Sequence, residues 1–209
     1  MAVTHPQLDV WADPAPTSSP KRLHLGCGKT IVEGWVNLDC VEGPGVDVVA
    51  DLDRCRTDPL PFENDTFDEV HASHLIEHIR DALPMMQELH RVCKHGATMV
   101  VRCPHGGSDD AFEDPTHFRQ YFPKSFIYFS QPAYWRADYG YRGDWQLTKV
   151  RYVVKSENRN LDLVELAWRI DHLRNMVQEL VVVLQAVKPI RPQQRELLSW
   201  PAPEVFFID

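Results

Sequence analysis

Residues 21–28 read KRLHLGCG, a short alternating strand that runs directly into a Gly-x-Gly turn. Glycine has no side chain, so it permits a tight turn and a close approach of the backbone to a ligand. Residues 35–39 (WVNLD) and 46–51 (VDVVAD) follow, and each reads as a strand that ends in an acid. This succession of short strands is typical of a nucleotide-binding α/β sheet, although a lone Gly-x-Gly is weak evidence.

The rest of the first half continues the alternation of strands and helices. Residues 67–73 and 97–103 are predicted to be strands, with a helix over 80–93 between them. The order predicts a Rossmann-like α/β domain with a mainly parallel sheet flanked by helices. Ligands of such sheets bind beyond the carboxyl ends of the strands, which directs attention to the loops that follow them.

The spacing of the acidic residues narrows the class of ligand that the chain could bind. The third glycine of the dinucleotide pattern is replaced by Ile31, and only ten residues separate Gly28 from Asp39. Both features disfavour a pyrophosphate-containing nicotinamide cofactor and leave a nucleoside ligand open. Asp39 could accept hydrogen bonds from both ribose hydroxyls, and Asp51 is similarly placed for an adenine edge. Taken singly, each acid is better explained as an ordinary loop residue.

Composition limits the classes of function. The 209 residues carry 22 Lys and Arg against 30 Asp and Glu, which gives a net charge of −8 and argues against a nucleic-acid partner. The five cysteines include no Cys-x-x-Cys pair, which favours free thiols in a reducing compartment. No run of 18 apolar residues and no signal-peptide pattern stands out, so we expect a cytoplasmic protein without a membrane partner.

The second half differs in pattern. Aromatic residues concentrate in residues 118–152, which predicts either a second hydrophobic layer or a lid over a substrate pocket. Residues 161–187 predict one long helix, begun by Asn160 and ended before Pro189. That helix would pack on its own domain or pair with a second copy in a homodimer. Its apolar seam comprises Leu163, Leu166, Ile170, Leu173, Val177, Leu180, Leu184 and Val187.

Several motifs in a fixed order make the pattern far more specific than any one of them. LGCG at residues 25–28 is followed by GWVNLD at 34–39 and by LPFENDTFDEV at 60–70. ASHLIEHI at residues 72–79 and ELHRVCKHGA at 88–97 complete the series. Together they resemble class I S-adenosylmethionine-dependent methyltransferases, in particular the type 11 family. The sequence DPTH at residues 114–117 resembles a subgroup of that family.

The resemblance implies a cofactor, S-adenosylmethionine, and a division of the chain. Residues 1–20 would be a flexible arm and 21–209 one methyltransferase-like domain. Within it, 21–105 would bind the cofactor, 106–155 would form an aromatic substrate cap, 156–195 a helical insertion and 200–209 the final strand. The residues implied in cofactor binding are Gly26, Cys27, Gly28, Asp39, Asp51, Leu52, Ser73 and His74.

Candidate catalytic and substrate-binding residues are less well defined. His117, His74 and His105 are the candidate pocket histidines, since each follows a strand or lies in the DPTH loop. Phe118, Tyr121 and Phe122 could face the sulfonium of the cofactor, or could simply pack the lid. A competing pattern is His74-x-x-Glu77-His78, which on a helix would bind zinc for a hydrolase. The surrounding family motifs favour the methyltransferase interpretation, so no metal is expected.

The expected function is methyl transfer from S-adenosylmethionine to a small molecule, of sugar or secondary-metabolite type. Two alternatives remain open at this point. One is a non-catalytic or partner-dependent subunit with the same fold. The other is an enzyme that uses the cofactor for a different reaction, such as cyclisation.

Overall fold

A computed structural model of the chain describes residues 19–209. The arm predicted over residues 1–20 therefore lies almost entirely outside the described residues. No helix in the described part is long and apolar enough to cross a membrane. The strands are β1 (Arg22–Leu25), β2 (Val36–Asp39), β3 (Val48–Val49), β4 (Phe67–Ser73), β5 (Cys93–Pro104), β6 (Trp145–Lys155), β7 (Val177–Ala186) and β8 (Glu204–Ile208), and the α-helices are α1 (Ala82–Val92), α2 (Asp110–Glu113) and α3 (Leu163–His172).

All eight strands join one sheet in the order β3-β2-β1-β4-β5-β7-β6-β8. The first five are mutually parallel, β7 is antiparallel to both β5 and β6, and β8 runs parallel to β6. The predicted Rossmann-like, mainly parallel sheet is thus confirmed. Because neighbouring parallel strands end at the same edge, the loops after β1, β2, β3 and β4 meet there.

The parallel strands form because their apolar residues can be buried against helix α1. Leu23, Leu25 and Val70 are fully buried, as are Met86 and Leu89 on the helix. Residues predicted as a helix over 80–93 and as a strand over 67–73 adopt those structures, with the helix starting two residues later. The spacing of the apolar residues was sufficient to predict both the strand and the helix.

The prediction of one long helix over residues 161–187 is wrong. Helix α3 ends at His172, and residues 177–186 form strand β7 between β5 and β6. Leu163 is 82% exposed, so the supposed seam is not a continuous apolar face. The homodimer expected through this helix loses its structural basis, and the helical insertion over 156–195 contains a central strand.

The physical reason lies in tertiary pairing. Residues 181–183 are three consecutive valines, whose branched side chains favour extended backbone. In the sheet, Val182 and Leu184 are buried and pair with residues of β5 and β6 on both sides. Asn175, with a left-handed φ of +62°, lies in the turn between α3 and β7. The start of α3 also differs, because Asp162 caps it through the N–H groups of Val164 and Glu165.

The aromatic segment is divided between core and surface. Tyr121, Phe126 and Trp145 are buried in the main core, whereas Phe118 and Phe122 are exposed. The indole N–H of Trp145 donates to the carbonyl oxygen of Met86 over 2.9 Å, which locks strand β6 against α1. Residues 145–155 form a strand of the sheet, so this part of the segment predicted as a cap over 106–155 belongs to the core, and the cap itself stays a prediction.

Candidate functional site

The glycine turn after β1 lies at the carboxyl edge of the sheet. Gly26 and Gly28 have φ values of +60° and +51°, in the left-handed region that favours glycine. A Cβ atom on Gly26 would lie 2.8 Å from Leu75 Cδ1, whereas one on Gly28 would meet nothing within 4 Å. Gly26 and Gly28 are therefore both required for conformation, and a side chain at Gly26 would in addition have to displace the end of the Leu75 side chain.

Asp39 ends β2 and faces this turn. Its Oδ2 accepts the N–H of Gly28 over 2.7 Å, and its Oδ1 accepts the N–H of Val41 over 3.0 Å. Partial burial opposes ionisation of Asp39, but these N–H groups outweigh it and hold the pKa of the carboxyl below its usual range. The carboxylate is thus fixed and charged, and each oxygen keeps a lone pair for a further donor.

The other predicted cofactor residues adjoin this point. Cys27 is buried, and its N–H donates to the carbonyl oxygen of Leu38 over 3.1 Å, which binds the turn to β2. Burial raises the pKa of its thiol, so it stays protonated and unreactive. Asp51 follows β3 and caps the 3-10 turn Leu52–Arg54 by accepting the N–H of Asp53. Its side chain is exposed while Leu52 is buried.

Ser73 and His74 lie at the end of β4. Ser73 is exposed, and His74 has φ +50°, which turns the chain away from the strand. His74 Nε2 lies 3.0 Å from Glu179 Oε1, and Nδ1 lies 3.5 Å from Glu77 Oε1. Glu179 and then Glu77 raise the pKa of His74 to about 9. At neutral pH the ring is a cation, so it has no lone pair with which to accept a proton.

His105 follows β5 and is buried at 7% exposure. Burial lowers its pKa to about 4, so the ring is neutral at pH 7. Its Nδ1 accepts the N–H of Gly107 over 3.1 Å, which places the ring proton on Nε2. The ring stands edge-on against Phe122 and Tyr152. His105 can therefore donate a hydrogen bond, but it is poorly suited to act as a base.

The third candidate histidine, His117, meets the segment after β4. Ligand atoms of Glu77, His78 and His117 lie within 4.8 Å of one another. The two segments are joined by the Phe118 N–H, which donates to the carbonyl oxygen of Glu77 over 2.8 Å. The rings of His78 and His117 are 4.7 Å apart and nearly perpendicular. This acid–histidine cluster (Glu77, His78 and His117) lies just beyond Ser73 at the same edge of the sheet.

The His-x-x-Glu-His pattern does not form in the predicted way. Residues 76–78 make only a 3-10 turn, and His74 lies outside it with a positive φ. His74 is directed to Glu179 on β7, so it does not join His78 as a second imidazole. His117, 39 residues further along the chain, takes that place.

The three aromatic candidates differ in exposure. Tyr121 is 1% exposed, stacks near Phe126 and directs its hydroxyl towards the Ile76 carbonyl oxygen at 3.4 Å. It supports the segment that carries the acid–histidine cluster and offers no free face. Phe118 and Phe122 are exposed, and the guanidinium of Arg80 lies 3.8 Å above the Phe118 ring. Their contact with a substrate stays a prediction.

Residues that the sequence reasoning missed are Leu75 and Thr116, and it gave His78 only as a partner of His74. Leu75 covers Gly26, and Thr116 Oγ1 lies 2.9 Å from His78 Nδ1. His78 is part of the His-x-x-Glu-His pattern. The backbone from His74 to His78 is not one helix, so the two imidazoles do not share a helix face as the pattern suggested. No sequence pattern predicts that the segment after β4 contacts the DPTH loop, because only the folded chain brings the two segments together.

Comparison with known proteins agrees with this geometry. Residues 23–101, less than half of the chain, match a family described as a methyltransferase domain. No curated protein matches the chain in sequence. The match runs from β1 into β5 and includes the glycine turn, Asp39, Glu77 and His78. His117, the third member of the acid–histidine cluster, lies outside it.

Solved structures share the fold at low identity. An S-adenosylmethionine-dependent methyltransferase from Archaeoglobus fulgidus superposes with a TM-score of 0.57 at 16% identity, covering 80% of this chain and 86% of that one. A putative methyltransferase from Bacillus halodurans gives 0.52 at 13%, covering 81% and 93%. The [4+2]-cyclase SpnF gives 0.50 at 11%, covering 80% and 75%. The methyltransferase-type fold is thus established.

Proposed function

We propose that this protein binds S-adenosylmethionine at the carboxyl edge of β1 to β4 and transfers its methyl group to a small molecule, of sugar or secondary-metabolite type. The observation that carries the proposal is Asp39, fixed as a carboxylate by the N–H groups of Gly28 and Val41 beside a left-handed glycine turn. The methyltransferase-domain match over residues 23–101 covers the same elements.

Each element of the edge has a role in this proposal. Gly26 and Gly28 let the turn after β1 approach the cofactor, with Cys27 contributing backbone contacts. Asp39 accepts the ribose hydroxyls through its remaining lone pairs. Asp51 and Leu52 flank the adenine. The end of β4, Ser73 and His74, flanks the methionine portion of the cofactor.

Methyl transfer requires little of the side chains beyond orienting the cofactor and the acceptor. When bound, S-adenosylmethionine supplies a methyl group on a positively charged sulfur, which is an activated leaving group. Orienting two reactants contributes on the order of 7–11 kcal/mol to lowering a barrier. A base is needed only where the acceptor atom carries a proton. Of the three candidate histidines, His74 is a cation and His105 is engaged at Nδ1, whereas His117 Nδ1 is buried with no hydrogen-bond partner.

Calorimetry with S-adenosylmethionine and with S-adenosylhomocysteine tests the proposal. We expect one site per chain, and Asp39→Ala should weaken binding by roughly 1–3 kcal/mol, because ribose hydroxyls lose their acceptor. Glu42→Ala is the matched control, since it removes an exposed acid three residues away. Failure of the folded wild type to bind either compound would refute the proposal.

Product analysis separates the three candidate activities. Methyl transfer yields S-adenosylhomocysteine, whereas other uses of the cofactor, such as cyclisation, yield methylthioadenosine or leave the cofactor unchanged. Unaided methylation by the purified chain would exclude a partner-dependent subunit. The shared fold of SpnF keeps the cyclase alternative in this test.

A further inference from the structure

The acid–histidine cluster contains a carboxylate that the protein does not satisfy. Glu77 is only 2% exposed, and neither of its carboxylate oxygens has a hydrogen-bond partner. Its one charged neighbour among the described residues is the His74 imidazolium, whose Nε2 bonds to Glu179 and whose Nδ1 forms only a long ion pair with Glu77 Oε1 at 3.5 Å. Buried carboxylates are normally paired or bound to a metal, because losing hydration without compensation is costly.

A second atom of the cluster is also unsatisfied. His117 Nδ1 is buried without a hydrogen-bond partner, and the side chain as a whole is 8% exposed. The other ring nitrogen, Nε2, lies 4.0 Å from Asp114 Oδ2. A neutral ring with its proton on Nε2, towards this carboxylate, leaves the lone pair on Nδ1. The ring is thus set up to offer Nδ1 as a ligand atom.

The third member is held in a defined tautomer. Thr116 Oγ1 lies 2.6 Å from Asp114 Oδ1 and 2.9 Å from His78 Nδ1. A carboxylate can only accept, so Asp114 Oδ1 takes the Thr116 hydroxyl proton as well as its N–H. Thr116 Oγ1 must then accept the proton on His78 Nδ1, which leaves the lone pair on Nε2. Such outer hydrogen bonds are what orient metal-binding histidines.

We propose that Glu77, His78 and His117 bind a divalent transition-metal ion, with Zn²⁺ the best-suited ion. Two imidazoles and one carboxylate form a ligand set that suits zinc, and three protein ligands leave a further position for water or a substrate oxygen. One candidate ligand atom from each of the three residues already lies within 4.8 Å of the other two, so side-chain rotations close the site. His117 is then a ligand and not a base, and a metal-bound acceptor hydroxyl would lose its proton more readily.

Direct metal titration tests this site without any cofactor. The full chain is treated with a chelator, then titrated with Zn²⁺ by calorimetry and with Co²⁺ by visible absorption, which reports ligand geometry. We expect one ion per chain for the wild type, and at least a 100-fold loss of affinity for His117→Ala and for Glu77→Gln. His172→Ala, which removes an imidazole from α3, should bind as the wild type does.

A variant that keeps all three ligands guards against loss of folding. Thr116→Val, at an exposed position, removes only the hydroxyl that orients His78, and we expect a 10- to 100-fold weaker affinity. Free Zn²⁺ at 100 times the wild-type Kd should raise the wild-type Tm by about 5–10 °C. No stoichiometric ion in the wild type, unchanged affinity in Thr116→Val, or wild-type affinity in a folded His117→Ala would each overturn the proposal.

Discussion

Two carboxylates at the same edge of the sheet have opposite surroundings. Asp39, after the turn from β1, receives N–H groups from Gly28 and Val41, so each of its oxygens has a backbone donor. Glu77, after β4, is buried deeper and receives no hydrogen bond at all. The first region is therefore complete as folded and needs only a ligand with hydroxyl donors. The second has carboxylate oxygens without hydrogen-bond donors, and its charge faces only the His74 imidazolium at 3.5 Å.

The two regions touch at Gly26, and the largest expected effect is there. Gly26→Ala should lower the free energy of unfolding by about 2–4 kcal/mol, because it combines left-handed backbone strain with a clash against Leu75. Gly28→Ala is the matched control and should cost about 1–2 kcal/mol, since only strain applies. Urea denaturation measures both. An equal loss in the two variants would mean that Leu75 moves aside freely and does not connect the regions.

The central contrast is tested by neutralising each carboxylate in metal-free protein. Asp39→Asn should lower the free energy of unfolding by about 1–3 kcal/mol, because one backbone N–H then faces an amide N–H. Glu77→Gln should lower it by less than about 1 kcal/mol, because the carboxylate loses no hydrogen bond and only the 3.5 Å ion pair with His74. Chemical denaturation after chelator treatment provides both values. A smaller loss in Glu77→Gln than in Asp39→Asn supports the contrast, and an equal loss would remove it.

The smallest effect concerns His74, which lies between Glu77 and Glu179. Its pKa of about 9 exceeds the unfolded value of 6.5, so its contribution is fully present below pH 6.5 and is lost as the pH rises through 9. The ring is 42% exposed, so solvent screening limits the contribution to about 1 kcal/mol. Comparing wild type with His74→Asn at pH 6.5 and pH 9.5 measures it. A difference that is the same at both pH values would contradict the raised pKa.

The sequence predicted the first half of the fold well. Strand β4 and helix α1 follow from their apolar periodicity, and the glycine turn with Asp39 follows from a strand that runs into Gly-x-Gly and another that ends in an acid. These features depend on neighbours within a few residues or on adjacent parallel strands. Local physical chemistry is strong enough there to decide the structure.

Prediction failed where distant segments decide. Strand β7 has apolar residues at spacings of three and four, yet it is extended because β5 and β6 provide hydrogen-bond partners on both sides. In the same way, His74 and His78 look like a ligand pair in sequence, but Glu179 holds His74 and the DPTH loop brings His117 to His78. Neither Glu179 nor His117 is near these residues in the chain.

By itself the sequence determined the class of fold, the carboxyl edge at which a ligand is expected, and the expected cofactor, because short motifs in a fixed order carry that information. Only the tertiary structure decided which acid is satisfied and which is not. Hydrogen-bond partners of a buried carboxylate come from wherever the folded chain places an N–H group. For Glu77 the described residues place none, and that absence is the most informative feature of the site.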